Sequence, residues 1–214
     1  MNRRHFIRST LAATLPGPWA GATRAAGAPT LLVVGDSLSA EYGIARGSGW
    51  VALLEKKLAA EKIAAKVVNA SVSGDTTAGG RARLPALLKA HQPAVVVIEL
   101  GSNDALRGLS LDMTEANLLA MTQAAQAAGA RVLLVGMQVP PNYGADHGRR
   151  FAELFAKVAR SQRAALVPFL LKGVADRADP LALFQQDRIH PVAEAHPIIL
   201  GNLWPEIQKL LKTP

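Results

Sequence analysis

The chain has 214 residues, half of them hydrophobic and 19% charged, with a formal net charge of +8 and no cysteine. That size and composition suit one globular domain and exclude an intrinsically disordered chain. Without cysteine there is no disulfide, thiol nucleophile or zinc–thiolate site, and with aromatics at 5% and scattered Lys and Arg, no nucleic-acid-binding surface is predicted.

The N-terminus accounts for much of the charge. Four of the 24 Lys and Arg (Arg3, Arg4, Arg8 and Arg24) lie in the first 28 residues, which contain no acid. The rest of the chain holds 20 basic against 16 acidic residues, a net +4. A basic start, a moderately apolar stretch over 9–22 and an Ala20-Gly21-Ala22 match to a small-residue cleavage site read as an export signal. Arg3 and Arg4 followed by His5, Phe6 and Ile7 resemble a twin-arginine signal, with Asn2 in place of the usual Ser or Thr. An ordinary secretory signal with paired arginines is the alternative. We therefore expect an export signal over 1–28, a single domain over 29–214, and a periplasmic or secreted protein. No segment reaches the length of a membrane span.

Beyond the signal, short Val/Leu-rich runs alternate with longer amphipathic segments. Strands are predicted over 30–34, 66–69, 94–100, 131–137 and 165–168. Their continuous apolar character fits strands covered on both faces. Helices are predicted over 50–61, 81–90, 114–128, 149–161 and 198–211, with Gly129 ending the third. This alternation implies an α/β fold: a three-layer α/β/α flavodoxin-like sandwich around a five-stranded parallel sheet.

In such sheets ligands bind beyond the carboxyl ends of the strands, where the chemically capable residues fall. Ser37 follows the first predicted strand, in a turn read as leading into a helix. Gly74 follows the second strand, Asn103 the third, and Tyr143 lies in the loop after the fourth. Asp187 and His190 lie in the long segment before the last helix. A serine, an imidazole and a carboxylate in the order Ser, Asp, His are the parts of a serine hydrolase site. Pro191 biases His190 toward an extended or loop conformation, so Asp187 can fold back onto its Nδ1 and leave Nε2 for Ser37. Gly74 and Asn103, with the Ser37 amide, can supply three oxyanion donors. Each feature also has a structural reading. Asp36 or Ser37 can cap a helix, Gly74 can serve a turn and Asn103 an Asx-turn. The Gly-x-Ser-x-Gly elbow of many α/β hydrolases is incomplete: Gly35-Asp36-Ser37 matches its first half, but Ser39 stands where the second glycine would be.

Gly35-Asp36-Ser37-Leu38-Ser39, Asn69 to Thr76, Glu99 to Asp104 and Ile189-His190-Pro191 together resemble the SGNH (GDSL) hydrolase family, over nearly all of the chain from Thr30 to about Leu211. The resemblance implies Ser37 as nucleophile, His190 as base, Asp187 as its orienter, and Gly74 and Asn103 as oxyanion donors. Three residues depart from the family pattern: Glu41 and Ser102, where small residues are usual, and Arg188, where glycine is usual. Glu41 and Arg188 either place opposite charges at the site mouth or are solvated surface residues. Asp36, Leu106 and Tyr143 are expected to contact substrate, with acyl chains along 106–111 and 139–143.

The reading is thus an exported, monomeric esterase or thioesterase acting on small-molecule acyl esters or thioesters, with no cofactor, no metal and no nucleic-acid partner. Its rivals are a carbohydrate O-acetylesterase, a metallophosphoesterase using the carboxylates on the same edge, and a non-catalytic flavodoxin-like module that holds an anion on loop amides.

Overall fold

The computed structural model describes residues 27–212; the export segment expected over 1–28 lies almost entirely outside them. Five parallel strands form one sheet in the order β2-β1-β3-β4-β5: β1 (Thr30–Gly35), β2 (Lys66–Asn69), β3 (Val95–Glu99), β4 (Arg131–Val135) and β5 (Ala165–Val167). The connecting helices are α1 (Trp50–Ala60), α2 (Thr77–His91), α3 (Ser102–Leu106), α4 (Leu111–Ala127), α5 (Ala145–Gln162) and α6 (His196–Lys212). Helix α1 packs with α6, while α2, α4 and α5 form a separate row, so helices cover both faces of the sheet.

That covering explains the composition of the strands. Every residue of β3, and all of β1 after Thr30, is buried. The two edge strands are partly open, with Lys66 and Asn69 of β2 exposed and Ala165 and Leu166 of β5 half-buried. In register, Leu31 lies between Val67 and Val95, and Gly35 sits opposite Glu99. Trp50, Phe151 and Phe155 are the largest fully buried side chains. The two phenylalanines meet edge-on with ring centroids 5.3 Å apart, a favoured aromatic geometry.

The connection from β2 to β3 passes over β1, so the direction of winding reverses between β1 and β3. This is the topological switch point, where a crevice opens at the carboxyl ends of the strands. Ser37 and Asn103 leave the sheet on either side of it.

Helix boundaries differ from expectation for identifiable reasons. α2 starts at Thr77 rather than 81, in spite of Gly79 and Gly80. The Thr76 side chain accepts the Gly79 N–H at 3.3 Å, and the Asp104 carboxylate, 27 residues away, accepts the Thr77 N–H at 2.9 Å. Gly80 is there for space, since a Cβ would come within 2.2 Å of a Leu100 methyl. α3 was not predicted; five residues are too few to show a helical period. Ser110 caps α4 at Leu111, and α5 and α6 likewise begin earlier than their apolar periodicity.

Candidate active site

Ser37 is held in one tight turn rather than at a helix start. The Asp36 carbonyl accepts the Ala40 N–H at 3.0 Å, and the Asp36 carboxylate accepts the Leu38 N–H at 3.0 Å. Glu41, at φ 59°, then breaks the turn. Helix α1 begins only at Trp50 because the Glu41 carboxylate gathers the intervening loop, accepting from the Gly47 and Gly49 N–H groups at 2.9 and 2.8 Å. Glu41 therefore organises the approach to α1 and does not stand as a charge at the site mouth. His196 closes the same junction from α6. It is buried, and its Nδ1 accepts the Trp50 N–H at 3.0 Å. Burial holds its pKa below the ordinary imidazole value, against the opposing pull of Glu41.

Ser37, His190 and Asp187 come together. His190 Nε2 lies 2.9 Å from Ser37 Oγ, and Nδ1 lies 2.6 Å from Asp187 Oδ2. Asp187 Oδ1 accepts the N–H groups of Ile189 and His190, both at 3.0 Å. Slight burial works against its ionisation, but these N–H groups and the imidazole outweigh it and pull the pKa down to about 2. Gln185 ties this segment to the nucleophile turn: its Nε2 donates to the carbonyls of Tyr42 at 2.9 Å and Pro191 at 3.0 Å. The Tyr42 ring packs on the imidazole, centroids 4.3 Å apart. Sequence reasoning missed Tyr42 and Gln185; the nearness of Tyr42 to Ser37 in the chain was the only available signal. Arg188 is exposed and takes φ 61°, the left-handed region that favours glycine.

Gly74 and Asn103 are tied to the two residues that precede Ser37. Gly74, at φ +78°, ends a tight turn whose Val72 N–H binds the Gly35 carbonyl at 3.0 Å. The Gly74 carbonyl accepts from Arg107 at 2.8 Å. Arg83, not singled out in the sequence, fastens this loop to the ends of β1 and β2. Its guanidinium pairs with Asp75 at 2.8 Å and donates to the carbonyls of Ala70 and, at 3.4 Å, Gly35. Asn103 sits in the first turn of α3, anchored by the next residue. Asp104 is buried and accepts from both the Thr77 N–H and the Thr77 hydroxyl. Ser102, the other departure from the family pattern, leaves its hydroxyl buried without a hydrogen-bond partner.

Asp36 corrects the expectation of a substrate contact. It has no exposed surface, and its Oδ2 accepts from Asn103 Nδ2 at 3.1 Å. Burial is the largest influence on its carboxyl group, and the pKa is pushed up to about 6. Beneath it lies Glu99, also fully buried, whose Oε2 accepts the Ser39 hydroxyl at 2.7 Å and the Asp36 N–H at 3.3 Å. Burial, reinforced by Asp36, raises Glu99 well above the usual carboxylate range.

Leu106 and Tyr143 are half-buried on the same sheet edge, at the end of α3 and in the 3-10 turn Pro141–Tyr143. A cavity of about 310 Å³ lies between the loop before that turn and α5, lined by Gln138, Val139, Pro140, Gly144, Gly148 and Ala152 among others. Among the described residues no three His, Asp or Glu side chains gather as metal ligands. The edge carboxylates that the sequence brings together are separately engaged, Asp75 by Arg83 and Asp104 by Thr77.

A hydrogen-bonded run from hydroxyl to imidazole to carboxylate, at the switch point of a parallel sheet, is the arrangement found in serine hydrolases built on α/β sheets. Residues 33–198 match the GDSL-like lipase/acylhydrolase family. The chain belongs to that family and is a hydrolase. It is 52% identical over 189 residues to esterase TesA of Pseudomonas aeruginosa, covering 88% of this chain and 92% of that one. It is 42% identical over 188 residues to thioesterase 1/protease 1/lysophospholipase L1 of Escherichia coli K12, covering 88% of each. A crystal structure of TesA superposes with a TM-score of 0.81, covering 85% of this chain and 99% of the other.

Proposed function

We propose that the protein hydrolyses acyl esters and thioesters by way of an acyl-enzyme on Ser37. The observation that carries this reading is the succession Ser37 Oγ, His190 Nε2 at 2.9 Å, and His190 Nδ1 to Asp187 at 2.6 Å. His190 takes the Ser37 proton as Oγ bonds to the acyl carbon, and Asp187 holds the imidazole with Nε2 toward the serine. The oxyanion formed is met by the amides of Ser37 and Gly74 and by Asn103 Nδ2. The bond to the alcohol or thiol then breaks, and His190 returns the proton to the leaving group. Water repeats the sequence on the acyl-enzyme, and the carboxylic acid departs.

The surface around Ser37 supports a fatty acyl substrate. Among the described residues, the exposed large hydrophobic side chains are Tyr42, Val72, Leu109, Met113, Leu181 and Ile189. All six lie in loops, or in the first turn of α4, at the carboxyl edge of the sheet. Apolar side chains exposed along the edge that carries Ser37 suit an apolar ligand. Leu106, Tyr143 and the cavity beside the Pro141–Tyr143 turn extend it. The relatives' names, esterase and thioesterase/lysophospholipase, agree with this substrate class. The basic N-terminal segment supports export to the periplasm or beyond, and the protein acts as a monomer on small molecules.

A panel of p-nitrophenyl esters of increasing chain length, with acyl-CoA, a lysophospholipid and an acetylated sugar, tests the reading. Turnover rising from acetyl to longer acyl groups is the expected result. A sharp preference for the acetylated sugar would replace it with a carbohydrate O-acetylesterase.

A further inference from the structure

Two carboxyl groups with no exposed surface, Asp36 and Glu99, lie beneath the Ser37 turn, and among the described residues neither forms an ion pair with Lys or Arg. Glu99 Oε2 accepts from the Ser39 hydroxyl and the Asp36 N–H, and Ser39 Oγ in turn accepts from the Trp50 indole at 3.1 Å. Glu99 Oε1 is buried without a hydrogen-bond partner among the described residues. Asp36 is better provided for: Oδ1 accepts the Leu38 N–H at 3.0 Å and Oδ2 accepts Asn103 Nδ2 at 3.1 Å. Each carboxyl thus accepts two hydrogen bonds, but those of Asp36 cover both its oxygens, while Glu99 has an orphaned oxygen on which a proton can reside. The pair carries one negative charge, and Asp36 holds it.

We propose that Asp36 is a positioning residue for acyl transfer, its Oδ2 holding one N–H of Asn103 so that the amide nitrogen, and not the amide oxygen, faces the oxyanion. The proposal rests on the reading of Asn103 as an oxyanion donor. The two ends of a carboxamide have nearly the same shape and opposite hydrogen-bonding character. Turned one way, Asn103 presents a donor to the developing negative charge; turned the other, it presents a carbonyl that repels it. An ionised carboxylate only accepts, so it selects the NH2 end. A protonated Asp36 offers its own O–H and permits the reversed amide.

The lock is therefore pH-sensitive. Burial pushes Asp36 up to about 6, while the Leu38 N–H, the His190 imidazole and the Asn103 amide favour its charged form. Asp75, in the β2–α2 loop and paired with Arg83, opposes that charge, and Glu99 faces it from β3. Below about pH 6 the selection weakens, adding a second protonation to any required by the base.

A double-mutant cycle on p-nitrophenyl ester hydrolysis tests this, because coupled residues give non-additive losses. Asn103→Ala is expected to lower kcat by roughly 10²–10³-fold. Asp36→Asn, which replaces the obligate acceptor by an amide, is expected to lower kcat at least ~10-fold with KM within about twofold. The double variant should be no slower than Asn103→Ala alone. Losses that multiply would overturn the proposal, placing the effect of Asp36 elsewhere. If Asn103→Ala costs nothing, the oxyanion assignment itself fails. The wild-type protein gives an independent readout. The side-chain amide resonances of ¹⁵N-labelled Asn103 should shift with a midpoint near pH 6, and resonances unchanged from pH 8 to 5 would also overturn the proposal.

Discussion

Asp36→Asn should gain stability relative to the wild type as pH rises, even as it slows turnover. The folded-state pKa of Asp36 is about 6, against an ordinary 3.8. A carboxyl raised on folding contributes stability that is fully present below the unfolded value and lost as pH rises through the folded one. That gap corresponds to ~3 kcal/mol across the full range, of which ~2 kcal/mol falls between pH 4.5 and 7.5. The asparagine variant has no such proton to lose. Its stability relative to wild type should therefore climb by ~2 kcal/mol over that interval, whatever constant offset the altered contacts with Leu38 and Asn103 introduce. Urea unfolding followed by tryptophan fluorescence at fixed ionic strength measures the difference curve. A curve flat to within about 0.5 kcal/mol, or one falling as pH rises, would refute the claim that a charge is buried at Asp36.

Arg83→Met should lower stability by about 2–3 kcal/mol in the same assay, since the guanidinium serves Asp75 and two strand-end carbonyls. It should also lower kcat by releasing the Gly74 loop. Arg188→Gly removes a left-handed L-residue at φ 61° and should raise stability by ~0.5–1 kcal/mol, with kcat unchanged, once the extra chain entropy of glycine is set against the relieved strain. Leu109→Ser and Met113→Ser, at about half-exposed positions on the apolar rim, should each raise KM for octanoyl esters severalfold and leave acetyl esters unaffected. Stability should fall as pH drops below the ordinary imidazole value of 6.5, because burial keeps His196 neutral in the fold; His196→Gln should flatten that part of the curve.

The strands were legible because β1, β3 and β4 are buried on both faces and so write continuous apolar runs into the chain. Ser37, Gly74, Asn103, Asp187 and His190 were legible as candidates because a parallel sheet gathers the loops that follow its strands at one edge. What was not legible depends on partners far away in sequence. The start of α2 is set by Asp104, and the junction before α1 by Glu41 and His196. Five-residue α3 carries no period to detect. Asp36 reads as a polar residue beside a serine, which suggests a substrate contact. Only the register that puts Gly35 opposite Glu99 reveals that it points inward, onto a second carboxyl group and the Asn103 amide.

The central claim is a covalent acyl transfer through Ser37, and mass spectrometry of the protein after reaction with a fluorophosphonate addresses it most directly. One adduct is predicted, mapped to the peptide bearing Ser37, lost in Ser37→Ala and formed far more slowly in His190→Ala. Labelling that persists in Ser37→Ala, or hydrolysis that survives that substitution, would contradict the account.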